Sequence, residues 1–384
     1  MALNVVSSDR LSTNVKSSNL DTVLSRKVGS SKNLIINGAF QVAQRGTTST
    51  STVYQTVDRW MGLWGGTDEN CTQAQVALTS SDTGPWAKGF TKAFQLTNGN
   101  QTGGAGANDY VELSTSLESQ EIANSGWDYT STSGKVALSF WVKSSVAQNF
   151  YGRFKTVDGT AQNYPFETGA LSANTWTKIT KIIPGAAALE FANDNTTGLE
   201  VYIVPFQGTD RTGSVSLNTW AAYAASTKTP DMTSTWYTTN DSTFAITGVQ
   251  LEVGDAATEF EHASYEDDLN RCRRYFWQAI KWSGSNNKGL GIGYMHGSSE
   301  VRCVVPFPVE MRAEPTIVSN DDSGSWYFNT GSGSADVFND WTLYSASTQF
   351  AVVRNTTDMS GTTAQAGLCA VELSSASLAF NAEL

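Results

Sequence analysis

The stretch Lys135-Val136-Ala137-Leu138-Ser139-Phe140-Trp141-Val142-Lys143 decides the fold class of this chain. Every second residue from Val136 to Val142 is apolar, which is the period of a β-strand with one buried face. The same alternation recurs over residues 176–183, 199–206 and 244–253. Short alternating strands, separated by clusters of Gly, Asn, Asp and Thr, predict a large antiparallel jelly roll or β-sandwich over residues 34–262.

A second group of strands occupies the end of the chain, where every odd position from 301 to 311 is apolar. Further alternating stretches follow at residues 341–344, 349–353, 368–373 and 378–384. Pro306 and Pro308 fall on the opposite face, which predicts an edge or bulged strand because proline donates no ladder hydrogen bond. We therefore predict a smaller C-terminal β-sandwich over residues 282–384, and an all-β fold for the chain.

A single helix is predicted between the two β regions. Its apolar residues recur at intervals of three and four, and they are Tyr265, Leu269, Cys272, Phe276 and Ile280. Acidic residues at 266–268 fall in the first turn, where the helix dipole favours negative charge. We predict a connector helix over residues 263–281 whose apolar face contacts other copies of the chain.

Residues 1–33 differ in character from the rest and are predicted to form an extended arm. Residues 1–32 contain five basic side chains against two acidic ones, and no aromatic residue. A segment with so little apolar surface does not fold alone and becomes ordered only against a partner.

Composition argues against several classes of protein. Among 384 residues, 25 are Lys or Arg and 36 are Asp or Glu, so the net charge is −11 and no nucleic-acid partner is expected. No run of 18 apolar residues is present, and the N-terminus lacks the apolar segment of a signal peptide, so neither membrane insertion nor secretion by that route is expected. The four cysteines and two histidines are widely spaced, which predicts no metal site and no cofactor.

No catalytic group is predicted. The glycine-rich stretches at 103–107 and 289–293 lack the strand and helix that flank a phosphate-binding loop. A glycosidase needs two carboxylates that face one cleft, and the sequence selects no such pair. Acidic residues near strand ends are better explained as turn and cap residues. We predict that the chain is not an enzyme.

Several aromatic residues interrupt the strand pattern in polar loops, and three of them, Trp127, Tyr129 and Trp236, are predicted to bind carbohydrate. A ring covers the apolar face of a sugar while neighbouring polar groups bind its hydroxyls. The alternative is that these rings belong to the core or to a subunit interface, which is the commoner role of tryptophan in a β protein.

Several motifs resemble those of a family of phage and prophage virion proteins. They are Leu34-Ile35-Ile36-Asn37-Gly38-Ala39-Phe40-Gln41-Val42-Ala43-Gln44-Arg45-Gly46, Val57-Asp58-Arg59-Trp60, residues 248–262, Cys272-Arg273-Arg274-Tyr275-Phe276, residues 305–316 and Asn381-Ala382-Glu383-Leu384. The resemblance covers residues 33–384, with the motifs in order along the chain. It implies a tail-fibre-like protein with a jelly roll similar to carbohydrate-binding modules.

The resemblance implies a structural virion protein of a tailed phage, made in the host cytoplasm and located on the tail or capsid surface. The first hypothesis is a homotrimeric tail-fibre or receptor-binding subunit that adheres to a host-surface glycan. The alternative is a head-fibre, decoration or tail-adaptor protein without glycan binding, and a glycan depolymerase is less well supported. The arm is then the virion-attachment segment, and its basic residues contact other virion proteins. These residues are Arg10, Lys16, Arg26 and Lys27.

Overall fold

Alternating strands make up most of the structure, a computed structural model that describes residues 32–281, 289–320, 323–331, 335–373 and 375–384. The first strands are β1 (Thr48–Ser49), β2 (Met61–Gly65), β3 (Thr72–Ala77), β4 (Lys92–Thr97), β5 (Tyr110–Glu118), β6 (Lys135–Ser144), β7 (Asn149–Thr156), β8 (Gln162–Ala170), β9 (Thr177–Pro184), β10 (Thr197–Gln207), β11 (Ala221–Ala222) and β12 (Thr243–Val253). The later strands are β13 (Phe276–Lys281), β14 (Gly289–Gly297), β15 (Glu300–Pro306), β16 (Thr316–Ser319), β17 (Trp326–Asn329), β18 (Ala335–Phe338), β19 (Thr342–Ala346), β20 (Phe350–Asn355), β21 (Ala366–Val371) and β22 (Ser377–Asn381). The helices are α1 (Ser119–Ala123), α2 (Thr235–Thr238) and α3 (Tyr265–Arg273), and a 3-10 turn spans Trp86–Lys88.

Two six-stranded antiparallel sheets form the larger sandwich. Sheet I has the strand order β1-β3-β4-β12-β6-β9, and sheet II has the order β11-β8-β7-β10-β5-β2. Their inward side chains share one core, to which sheet I contributes Phe140 and Ile246 and sheet II contributes Phe154 and Val201. The predicted all-β fold with a large antiparallel sandwich is confirmed.

Sheets III and IV form the smaller sandwich. Sheet III has the order β13-β22-β16, and sheet IV has the order β18-β17-β21-β14-β15-β20-β19. Leu378 and Phe380 of sheet III and Val353 of sheet IV belong to its core. Of the two alternatives predicted from Pro306 and Pro308, the edge strand is wrong, because β15 lies between β14 and β20. The pairing of β15 with β14 has an irregular register, but it falls between Met295 and Gly297, away from Pro306. Pro306 is the last residue of β15, where its missing N–H ends the ladder without interrupting it.

The predicted helix over residues 263–281 forms only in its first half. Helix α3 ends at Arg273, and residues 276–281 form strand β13 paired with β22. Phe276 and Ile280 fit a helical spacing of four and equally a strand spacing of two, and pairing with β22 decides between them. Trp277 stacks on Phe380 of that strand, with ring centroids 5.8 Å apart.

The face of α3 is used inside the chain. Cys272 is fully buried in a small cluster with Tyr275, Ile36 and Val42. Leu269 and Cys272 of the apolar stripe predicted to contact other copies therefore pack against the chain's own N-terminal motif, while Tyr265 is 56% exposed.

Residues 33–384 form one compact unit, and a buried polar junction joins its two sandwiches. Arg45 and Arg59 of the larger sandwich both pair with Glu383 near the C-terminal end, Arg45 at 3.2 Å. The Arg59 guanidinium also stacks on the Tyr275 ring at 3.5 Å. Asp58 lies beside them and is fully buried; burial raises the pKa of its carboxyl to about 6, against the opposing effect of Arg45.

A second contact of the junction centres on Glu118, the last residue of β5. Its carboxylate accepts hydrogen bonds from Arg274 at 2.9 Å and from the Tyr275 hydroxyl at 2.5 Å. Burial raises the pKa of Glu118, but these two donors outweigh it and hold the pKa below its usual range. The sequence motifs around Arg45, Arg59, Arg274 and Glu383 thus meet at one place, where their side chains join the two sandwiches.

Candidate functional site: a cleft on the outer face of sheet I

A cleft of about 150 Å³ opens on the face of sheet I that points away from the main core. It combines aromatic rings with basic, hydroxyl and carboxylate side chains, which is the composition of a site for a polar ligand with an apolar face. Its lining residues are Lys88, Phe90, Ser139, Trp141, Lys178, Gly248, Glu259, Phe260 and His262.

The floor of this cleft is formed by the outward-facing side chains of sheet I. In β6 the residues Val136 to Val142 that alternate inward belong to the core, so Ser139 and Trp141 point outward. Trp141 lies opposite Lys178 of the neighbouring strand β9, which brings a ring and an ammonium group side by side.

Two segments of the chain cover part of this outer face and form the walls. Phe90 follows the 3-10 turn and packs edge-on against Phe260, with ring centroids 4.9 Å apart. His262 lies 5.0 Å from Phe90 and its Nε2 is 2.8 Å from the Lys88 carbonyl oxygen. Phe90 is 1% exposed and belongs to a small second core on this face. The walls are therefore held by packing as well as by hydrogen bonding.

Asp82 fastens the first covering segment to the sheet. Its Oδ1 accepts hydrogen bonds from the Lys143 ammonium at 2.7 Å and the Trp176 indole N–H at 2.9 Å. Burial raises the pKa of Asp82, but these donors outweigh it and lower the pKa to about 2. Nearby, Gly84 lies against Trp141: it has a φ of +100°, and a Cβ there would lie 2.7 Å from the indole. A larger residue at position 84 is therefore excluded.

Basic groups outnumber acidic ones around the cleft. Lys88 and Glu259 form an exposed pair at 3.3 Å. Lys178 is exposed, and no described carboxylate lies within 4.0 Å of its ammonium group. On a chain whose net charge is −11, the two ammonium groups supply donors for hydroxyls or for a carboxylate. The exposed His262 imidazole donates its Nε2–H to the Lys88 carbonyl oxygen, and in its neutral form it offers Nδ1 as an acceptor.

Two of the three predicted carbohydrate-binding residues are wrong as surface contacts. Trp236 is 0% exposed and its indole N–H donates to the Thr243 carbonyl at 3.0 Å, while Trp127 is 4% exposed. Both belong to the main core, which is the alternative role considered for them. Tyr129 is half-buried at the edge of that core, with its ring 4.9 Å from Phe191. The structure does not bring Tyr129 and Trp236 together in a cleft.

The residues that do line the cleft were missed, although the sequence held one signal for them. Trp141 stands at a polar position of an alternating strand, so its ring is assigned to the solvent side by period alone. Phe260, His262 and Lys88 reach the cleft through the folding of two loops, which periodicity does not report. The basic residues of the predicted arm, Arg10, Lys16, Arg26 and Lys27, lie outside the described residues.

The described part of the chain holds no group of three or more His, Cys, Asp and Glu side chains arranged to bind a metal ion. Among its helices, none has both the length and the apolar character needed to cross a bilayer.

Neither a protein-family profile nor a curated protein sequence matches the chain. Among solved structures, the enzymatically active domain of bacteriophage CBA120 tailspike protein 4 aligns at 12% identity and a TM-score of 0.31, covering 58% of this chain and 22% of that one. The chain therefore spans about a fifth of the tailspike domain's length.

Carbohydrate-binding modules are a second group of similar structures. The CBM22-1 xylan-binding domain of Paenibacillus barcinonensis Xyn10C aligns at 11% identity and a TM-score of 0.27, covering 59% of this chain and all of that domain. A family 11 module from Clostridium thermocellum aligns at 11% identity and 0.24, covering 56% of this chain and 98% of the module. At these TM-scores the likeness carries no functional inference.

Proposed function

We propose that this chain is a structural virion protein of a tailed phage, a tail-fibre or receptor-binding subunit that adheres to a host-surface glycan through the cleft on sheet I. The observation that supports glycan binding is the composition of that cleft, where Trp141 and Phe260 stand beside Lys178 and His262. The virion assignment is supported by the sequence motifs of the chain.

The chemistry of the cleft suits a sugar. The C–H face of a pyranose packs on an aromatic ring, and its hydroxyls need several convergent donors and acceptors. Trp141 supplies a half-buried ring, and Lys178 and His262 supply polar groups at the exposed rim. Trp86, in the same 3-10 turn as Lys88, is 41% exposed.

Adhesion fits the cleft better than hydrolysis. Among the described residues, Glu259 is the one carboxylate that lines it, and cleavage of a glycosidic bond needs a pair of carboxyl groups on either side of the bond. A head-fibre, decoration or tail-adaptor protein without glycan binding is the remaining alternative, and it predicts no affinity for any surface polysaccharide.

The test is titration of the full chain against a panel of bacterial capsule polysaccharides and lipopolysaccharides, followed by calorimetry on the best binder. Trp141→Ala should weaken binding about fivefold, since one stacked ring contributes about 1 kcal/mol. Lys178→Ala should weaken binding as well. Lys181→Ala, on the same strand but outside the cleft, is the matched control and should bind as the unchanged chain does.

Loss of binding counts only if the variant keeps its thermal unfolding midpoint. No affinity for any glycan in the panel would contradict the proposed adhesion. Binding that survives both Trp141→Ala and Lys178→Ala would move the glycan site elsewhere on the chain. Shortening of the polysaccharide during incubation would identify a depolymerase instead.

A further inference from the structure

The outer face of sheet IV carries a concentration of exposed apolar side chains. Of the fourteen large hydrophobic residues exposed in the described part of the chain, seven lie on this one face. They are Ile292 (69% exposed), Val304 (51%), Val337 (48%), Tyr344 (48%), Phe350 (42%), Tyr294 (40%) and Leu368 (39%).

Strand register makes these residues neighbours. Leu368 pairs directly with Ile292, and Val304 pairs directly with Val352. Gly293 pairs with Cys303, which sets Ile292 beside Val304. An apolar row therefore crosses four adjacent strands, β21, β14, β15 and β20, at right angles to the strand direction.

On the opposite face of the same strands, the side chains pack in the core of the smaller sandwich. Met295, Cys303, Val353 and Cys369 alternate with the exposed residues, and each is at most 1% exposed. Sheet IV is thus a strongly apolar sheet on both sides, with sheet III covering one side. On the other side Tyr327 and Ala370 are buried, but Leu368, Ile292 and Val304 are exposed.

One carboxylate and two guanidinium groups lie together on this face. Glu300 pairs with Arg302 at 2.7 Å and lies 3.7 Å from Arg354. Both guanidinium groups also approach the Tyr344 ring, at 3.9 and 5.1 Å. Glu300 offsets one of the two arginines, so each copy brings one net positive charge of this group to the contact, and the like-charge repulsion between two copies is limited to that charge.

The area is large for an unoccupied surface. The seven side chains expose on the order of 600 Å², at the upper limit of about 300–600 Å² for the largest patch of a typical monomer and close to the roughly 800 Å² that each partner gives to a standard interface. Interfaces between copies of one chain are also more apolar than other interfaces.

We propose that the outer face of sheet IV, around Ile292 and Val304, is the surface through which copies of this chain associate. The occupant is a second copy, because the exposed apolar area approaches the roughly 800 Å² that one partner gives to a standard interface, and because interfaces between copies of one chain are the more apolar kind. This surface replaces the α3 stripe, which packs inside the chain, as the contact between copies.

The test is the mass of the full chain by light scattering and sedimentation velocity at micromolar concentration. The unchanged chain should have the mass of two or more copies, above the 41.3 kDa of one chain. The double variant Ile292→Lys with Val304→Lys should be monomeric. Val318→Lys is the matched control, because Val318 is 51% exposed on sheet III and lies away from this face.

A monomeric mass for the unchanged chain would overturn the proposal, and so would an oligomer that survives the double variant with its unfolding midpoint intact. A measurement without variants covers the case in which the double variant does not fold. Hydrogen exchange of the unchanged chain should slow in β14 and β15 as protein concentration rises from nanomolar to micromolar. Exchange in β14 and β15 that does not depend on concentration would also overturn it.

Discussion

The outer faces of sheets I and IV both carry apolar side chains, but these side chains are covered to different extents. Both sheets carry apolar or aromatic side chains that point away from their sandwich core. On sheet I, Phe90, Trp176 and Leu78 pack over these residues as a small second core, and a cleft remains at its edge. On sheet IV, Ile292 and Val304 stay more than half exposed. The chain's own loops cover much of the outer face of sheet I, whereas on sheet IV the side chains around Ile292 and Val304 are exposed to solvent.

The largest expected effect comes from removing the cover of sheet I. Phe90→Ala should lower the free energy of unfolding by about 3–5 kcal/mol, because it deletes a buried ring and leaves a cavity. It should also weaken glycan binding, since Phe260 and His262 pack on that ring. Denaturant unfolding followed by tryptophan fluorescence measures the first effect. A loss below 1 kcal/mol would mean that the cover contributes little to the fold.

A smaller and pH-dependent effect should come from Asp82, which fastens that cover. Its pKa is about 2 in the folded chain and about 4 in the unfolded chain, so the unfolded state binds more protons between these values. Its contribution is complete above pH 4 and is lost as the pH falls towards 2, by about 1–2 kcal/mol.

The matched variant for this effect is Asp82→Asn. Its unfolding free energy should fall less steeply between pH 4 and pH 2 than that of the unchanged chain. Urea titrations at the two pH values give the free energy of unfolding of both chains. An equal loss of that free energy between pH 4 and pH 2 in both chains would contradict the role given to the Lys143 and Trp176 hydrogen bonds.

The smallest effect is expected on sheet IV. Ile292→Ala, measured at nanomolar concentration where copies are separated, should change the free energy of unfolding by less than about 0.5 kcal/mol, because the side chain is 69% exposed. The same change should weaken association at micromolar concentration. A loss of 2 kcal/mol or more in the separated chain would show that this face is covered from within the chain.

Strand alternation let the sequence predict both sandwiches, because burial of one face imposes a period of two that short windows reveal. The same alternation predicts that the Trp141 ring lies on the outer face of β6, but the prediction of carbohydrate-binding residues did not include it. Trp127 lies in a loop and Trp236 in the short helix α2, and both side chains are buried in the core, which the local sequence does not predict.

Long-range pairing explains where sequence reasoning failed. Residues 276–281 carry a pattern compatible with helix or strand, and β22, about a hundred residues later, turns them into a strand. Arg45 and Arg59 pair with Glu383, which is more than 300 residues away in the sequence. The sequence motifs that contain these residues therefore did not predict that they join the two sandwiches.

The most direct test of the account is a structure of the chain with an oligosaccharide from the polysaccharide that it binds most tightly. The account predicts that a sugar ring lies against Trp141 with its hydroxyl or carboxylate groups within hydrogen-bond distance of Lys178 and His262. A sugar bound instead on the outer face of sheet II, with the cleft on sheet I left empty, would contradict it.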